Sequence, residues 1–296
     1  MSVVDTPRSI VRETTPLVGP AMDELARLPK HAPKVRTRAL FPTEPKGQIV
    51  ALLAVGIVVV IFVAWQLLAD IGVIDTFFWS KPSMIWDSAV IAFTNGTMLD
   101  DTIFTFTSTV AGFVIGVVGG AAVGLSFWWS RLYARTAEPL LIAVEAMPKL
   151  ALAPMIVLAL GIGMSSKIAM ATALVIIIQI LNTHTAVRAV DRDLQTLLYS
   201  LGASRAQVFG KVVFPSTIPS IIASFRVSIG LALTGAIVGE YIGSQHGLGK
   251  MIQFAAASFD ISLIWVGVFT LGVLSFVLYI AVLFLERFLL RAIRGA

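Results

Sequence analysis

The chain has 296 residues, of which 57% are hydrophobic and only 13% charged, with a formal net charge of +5 and a mean hydropathy of +0.90. Soluble domains carry about 25% charged residues, so this composition excludes a water-soluble globule and marks an all-α integral membrane protein. With no cysteine there is neither a disulfide framework nor a thiolate metal site, and His31, His184 and His246 are too far apart in sequence to make a ligand-spaced cluster, so no metal is expected.

In chain order, residues 1–47 come first and are polar, rich in proline and basic. They lack the short apolar core and small-residue cleavage site of a secretory signal and are expected to form a largely disordered tail. Residues 48–296 are the membrane domain. Crossing ~30 Å of hydrocarbon takes about 20 apolar residues, and six runs qualify: 48–70, 103–129, 138–161, 166–187, 219–242 and 261–289. Between the first two, IWDSAVIAF reads as an amphipathic helix suited to the membrane surface. Span two carries Gly112, Gly116, Gly120 and Gly124 on one face, a pattern that lets another helix approach closely in lipid.

Polar groups inside spans are costly and face a cavity or a partner. In span three, Glu145 and Lys149 are four residues apart and can pair on one helix face. Pro148 and Pro154 flank Lys149 and are expected to break the span. Glu145, Met147, Lys149, Gln179, Asn182 and Glu240 are the candidates for a translocation path. Two readings stand for several of them. Lys149 either attracts an anionic solute or only neutralises Glu145; Gln179 and Asn182 either line a vestibule or bond neighbouring helices. Glu240, near the mouth of span five, is expected to pack a gate before it touches solute, and Arg226 to be structural.

The segment between spans four and five, residues 190–218, is more built than a connection requires. A short amphipathic helix ends at Leu201 and Gly202, Gly202 being suited to a left-handed C-cap. After Ala203, the run Ser204-Arg205-Ala206-Gln207 is a capping box for a second helix. That helix is expected to stop before Pro215, with Ser216 or Thr217 capping span five and Pro219 in its first turn. Lysine and arginine set the orientation: with the N-terminus in the cytoplasm, seventeen fall on the inner side and only Lys81, Lys167 and Lys250 outside. Both termini and the 190–218 elbow are therefore expected in the cytoplasm of a multi-pass plasma (inner) membrane protein. The positive charge is explained by topology, and no nucleic acid is needed.

This elbow resembles the cytoplasmic loop of binding-protein-dependent ABC-importer permeases, whose pattern is E-A-A, three residues, Gly, nine residues, Ile, one residue, Leu-Pro. With the glycine at Gly202, Val212, Phe214 and Pro215 fill the later places; Thr196, Leu197 and Leu198 replace E-A-A, so the acid is missing. FFWSKPSMIWDSAV, EAMPKLALAPMIVLALGIGMSSKI and FRVSIGLALTGAIVGEYIGSQHGLGKMI resemble the nitrate/sulfonate/taurine branch, and the likeness covers residues 48–290. The resemblance implies that the elbow is a coupling helix, with Leu201, Gly202, Ala203, Ser204, Arg205, Gln207 and Pro215 engaging a separate cytoplasmic ATPase. It also implies an external binding protein, a second permease copy and a small, anionic solute.

The chain itself has no P-loop. GxxxxGK[ST] fails in SQHGLGKM at Ser244 and Met251, and in RAQVFGKV at Arg205 and Val212. ATP and Mg²⁺ thus belong to the partner, and this chain is not an enzyme. An ion-coupled secondary transporter is the alternative. It would favour inverted repeats and unpaired intramembrane carboxylates; no clear repeat relates spans 1–3 to 4–6, and Lys149 accompanies the one mid-span acid.

Overall fold

The computed structural model describes residues 47–294, which are helices and connecting turns without a strand. The expected tail lies outside the described residues apart from Gly47. The chain divides into two units, one ending at Val58 and one beginning at Val59. The first contributes the opening turns of α1 (Gly47–Asp70). The second contains the rest of α1 and α2 (Thr76–Trp79), α3 (Pro82–Thr94), α4 (Thr97–Ser126), α5 (Arg131–Ala146), α6 (Ala153–Leu160) and α7 (Met164–Arg188). It continues with α8 (Arg192–Ser200), α9 (Arg205–Val208), α10 (Phe214–Ala223), α11 (Phe225–Ile242), α12 (Leu248–Ala257) and α13 (Ile261–Arg294).

Among the described residues, six helical stretches are long and apolar enough to cross a membrane: Ile49–Asp70, Thr97–Trp129, Met164–Arg188, Arg205–Ala223, Phe225–Ile242 and Ile261–Ile293. Five of them overlap runs read from the sequence, and Arg205–Ala223 stands in place of the expected run 138–161. The segment expected as span three is a bent pair, α5 and Lys149–Leu160, meeting at 79°. The break falls at Met147, which is extended, and Pro148, which is also outside the helical region, because a proline cannot donate to the helix ladder. Residues 205–218, expected as elbow, and 219–223, expected as the start of span five, are helical throughout and reach α11 through one residue, Ser224, itself in the right-handed helical region.

The helix is therefore not stopped before Pro215. Residues Phe209–Val213 form a π-helical turn, in which the Phe214 N–H bonds to the Phe209 carbonyl five residues back. The wider turn relieves the clash that a proline ring makes with the carbonyl four residues earlier. Nor does Thr217 cap a new helix: it is buried, and its hydroxyl donates to the Phe214 carbonyl within α10.

α7 is the axis of the bundle, packed by α4, α11 and α10. The four glycines of α4 face it in register. A Cβ on Gly112 would run into Ala171, one on Gly116 into Val175, one on Gly120 into Gln179 and one on Gly124 into Thr183. Steps of four on both helices keep the seam closed along four turns, which only residues without side chains allow. Gly235 of α11 lies equally close to the α7 backbone at Met170 and Ala171. α13 is joined to α11 by a two-pronged ion pair, Arg226 Nε and Nη2 on the Glu286 carboxylate at 2.6 and 2.9 Å. At its start, Ser262 bonds Ser80 at 2.7 Å and the Trp265 indole donates to the Trp79 carbonyl at 3.0 Å.

Candidate functional site

The two ends of the bundle carry different kinds of polar structure. At the end bearing Arg131, Arg188 and Arg205, the chain builds the elbow. α8 starts with Asp191, whose carboxylate accepts from the Asp193 N–H, and stops at Gly202 (φ +81°). There the Gly202 N–H bonds the Tyr199 carbonyl and the Ala203 N–H the Leu198 carbonyl, both at 3.0 Å. This double closure satisfies the free carbonyls of a helix end and needs a left-handed residue, which glycine supplies at no steric cost. Ser204 then opens α9. Its hydroxyl accepts from the Gln207 N–H at 3.3 Å while the Gln207 side chain accepts from the Ser204 N–H at 2.8 Å.

Arg205 anchors the elbow to the bundle. Its guanidinium donates to the carbonyls of Trp128 and Trp129 at 3.1 and 2.6 Å and lies over both indole rings, 5.1 and 5.7 Å from their centroids. Val208 and Val213 are fully buried, the latter with Val187 and Val190 at the end of α7. Sequence reasoning named Arg205 without finding this anchor. The signal was the aromatic pair Trp128-Trp129 at the end of span two, but nothing in the sequence links positions 77 residues apart.

The faces of α8 are sharply divided. Arg192, Gln195, Thr196 and Tyr199, spaced as i, i+3, i+4 and i+7, turn toward a cleft against the bundle. Leu194, Leu197 and Leu201 lie on the opposite side and are 49%, 56% and 74% exposed. A short helix thus holds an apolar stripe away from the protein on a rigid, doubly capped support.

The path candidates separate into two groups. Lys149 Nζ meets Glu145 Oε2 at 2.9 Å and the Glu145 carbonyl at 3.0 Å, so the lysine is neutralised across the break between α5 and α6. Met147 and Asn182 are exposed. Gln179 and Glu240, by contrast, face no path within this chain. Gln179 is fully buried, donating to Thr183 at 3.2 Å and accepting from Ser224 at 2.7 Å, so it ties α7 to the α10–α11 joint.

Glu240 is 1% exposed and belongs to a clasp at the opposite end of the bundle. Its Oε2 accepts from Thr105 Oγ1 at 3.0 Å and from the Gly249 N–H at 2.9 Å. The Thr105 hydroxyl accepts the Leu248 N–H at 2.9 Å, and Asp101 Oδ1 accepts the Gly247 N–H at 2.7 Å. Three successive N–H groups at the start of α12 are thereby satisfied by side chains of α4 and α11, as a helix N-terminus requires. Gly247 (φ +113°) has no room for a Cβ, which would overlap the Glu240 carboxylate.

Lys167 completes this end. Counted from the sequence as a topological charge outside the membrane, it is fully buried. Its ammonium donates to the Ile162 carbonyl at 2.9 Å, to Ser166 Oγ at 3.1 Å and to the Gly243 carbonyl. It therefore binds the turn before α7 to the end of α11. Sequence reasoning missed Lys167, Thr105 and Asp101, because each bonds backbone groups far away in sequence that no motif announces.

Known proteins extend this geometry. A riboflavin transport system permease protein of Chloroflexus aurantiacus is 29% identical over 91% of this chain and 98% of the relative. A taurine transport system permease protein of Escherichia coli is 24% identical over 79% of this chain and 87% of the relative. Among solved structures, a chain of the inward-facing MetNI methionine ABC transporter matches with a TM-score of 0.53 and 18% identity, over 70% of this chain and 98% of that one, a likeness of fold alone. The family model described as binding-protein-dependent transport system inner membrane component matches residues 112–295, and the chain belongs to that family: it is a membrane-embedded permease subunit of an ABC importer.

Proposed function

We propose that this permease works as a pair of copies, driven by two cytoplasmic ATPase subunits that seat on the elbow and supplied by an external binding protein. The observation that carries the reading is the outward apolar stripe of α8, Leu194, Leu197 and Leu201, on a support fixed by Gly202, the Ser204–Gln207 box and the Arg205 anchor. Apolar surface held rigidly in water is stabilised by a partner that covers it. Because α9, the π-turn and α10 run on into α11 with only Ser224 between, a push on α8 is delivered to the membrane helices through stiff backbone. In this reading the elbow, and with it both termini, is cytoplasmic, in accord with the lysine and arginine bias. Purifying the tagged chain in mild detergent tests it. A P-loop ATPase recovered at two copies per two permeases is expected; uptake into vesicles by the permease with no ATPase present would overturn the reading in favour of an ion-coupled transporter.

For the solute we propose a small organic molecule without net charge. Three cations within the bundle are engaged: Lys149 by Glu145, Arg226 by Glu286, and Lys167 by carbonyls and Ser166. The riboflavin relative supports an uncharged solute, and taurine, named for the other relative, is a zwitterion at neutral pH. A sulfonate-like or nitrate-like anion is the second reading, favoured by the taurine relative's sulfonate ligand. Competition for uptake in proteoliposomes carrying ATPase and binding protein separates them: riboflavin or taurine should compete, and competition by nitrate alone would reinstate the anion.

A further inference from the structure

At the basic end, the close of α4, the start of α5, the end of α7 and the inner face of α8 enclose an open cleft of about 710 Å³. Among the described residues, five arginines line it, Arg131, Arg135, Arg188, Arg192 and Arg205, against one acid, Glu138. Glu138 is already taken, holding Arg188 at 2.9 Å. Arg205 is spent on the Trp128 and Trp129 carbonyls. Among the described residues, no carboxylate lies within ion-pair distance of Arg131, Arg135 or Arg192. These three come from two elements, α5 and α8, so the excess charge sits across the joint between the elbow and the bundle.

Like charges gathered on one concave wall attract a counter-charge, and a cleft with apolar walls focuses that field. Phe127, Trp128, Val187 and Val190 supply the apolar part. Guanidinium groups match the paired oxygens of a phosphate better than those of a small monovalent ion, because their N–H groups form a planar fork. Gln195, Thr196 and Tyr199 add neutral polar groups along the same wall. The cleft has room for more than one phosphate oxygen set, and it opens beside tryptophans of the kind that favour the membrane–water boundary.

We propose that this cleft binds a phosphate-bearing anion, held by Arg131, Arg135 and Arg192, which fixes the seat of α8 on the bundle. The phosphate comes from an anionic lipid headgroup or from a soluble phosphate compound. The site is separate from the outward leucine stripe, so its failure would leave the importer reading standing.

The test uses the full chain, delipidated in neutral detergent, with thermal unfolding followed by tryptophan fluorescence. Sodium pyrophosphate is one probe; phosphatidylglycerol against phosphatidylcholine in mixed micelles is the other, all at ionic strength matched with sodium chloride. A saturable rise in the midpoint is expected, with the half-effect concentration at least tenfold higher in R131Q/R135Q and largely restored in R131K/R135K. A response to phosphatidylglycerol alone assigns the lipid headgroup; a response to pyrophosphate assigns a soluble phosphate. Should R131Q/R135Q not fold, Arg192→Gln, on an exposed wall of α8, carries the same comparison. The proposal fails if neither probe raises the midpoint saturably, if sodium chloride does as well, or if the arginine-to-glutamine variants respond as the parent does.

Discussion

The elbow and the clasp at opposite ends of the bundle solve the same problem, an irregular turn between helices, in different ways. The elbow is held mainly by neighbours in sequence: Gly202 closes on Tyr199, Ala203 on Leu198, and Ser204 on Gln207. The clasp is held by partners far away in sequence, Asp101 to Gly247, Thr105 to Leu248 and Lys167 to Gly243. The first keeps its shape while most of its surface remains free; the second gives up its surface for cohesion. A part that must be pushed by another protein suits the first design, and a closure that must exclude water suits the second.

The comparison predicts where each substitution reports. The largest effect should come from the seam that both ends share. Gly120→Val would force a branched side chain into Gln179 and the Ile176 carbonyl, costing about 3 kcal/mol or more by overpacking, and the protein should fail to accumulate in membranes. Next is Lys167→Met, which leaves the Ile162 and Gly243 carbonyls without their donor at a cost of about 2 kcal/mol or more; its melting midpoint in detergent should fall clearly. Gly202→Asp costs about 1 kcal/mol for a side chain in left-handed backbone, so melting should move little while ATP-dependent uptake is lost. Arg205→Ala should change melting least of all, since its side chain sits at the surface, yet it should weaken recovery of the ATPase by freeing the elbow from Trp128 and Trp129. If Arg205→Ala lowers melting as far as Lys167→Met does, the division between the two ends is wrong.

Much of the elbow was legible because its devices are local. A glycine at the end of an amphipathic run, and a serine three residues before a glutamine, state their geometry in the order of the chain. Pro215 misled for the same reason: its local rule ends a helix, and only the π-turn at Phe209–Val213 lets the helix continue. The prolines around Lys149 followed their rule, and the chain turns through 79° there. Gln179 and Glu240 looked like path residues because a polar group among apolar ones marks a site, but whether that site faces a solute or a neighbouring helix depends on what packs against it.

The sequence by itself determined that the chain lives in a membrane, which face of α4 would meet another helix, and how the elbow turns, since hydropathy, four-residue glycine steps and capping pairs are properties of composition and short spacing. Only the tertiary structure decided which helix receives that face, that Lys167 is an interior clamp instead of a surface charge, and that five arginines converge on one cleft. Those are contacts between residues dozens of positions apart, and in a membrane protein they depend on packing between helices whose apolar surfaces look alike from the sequence.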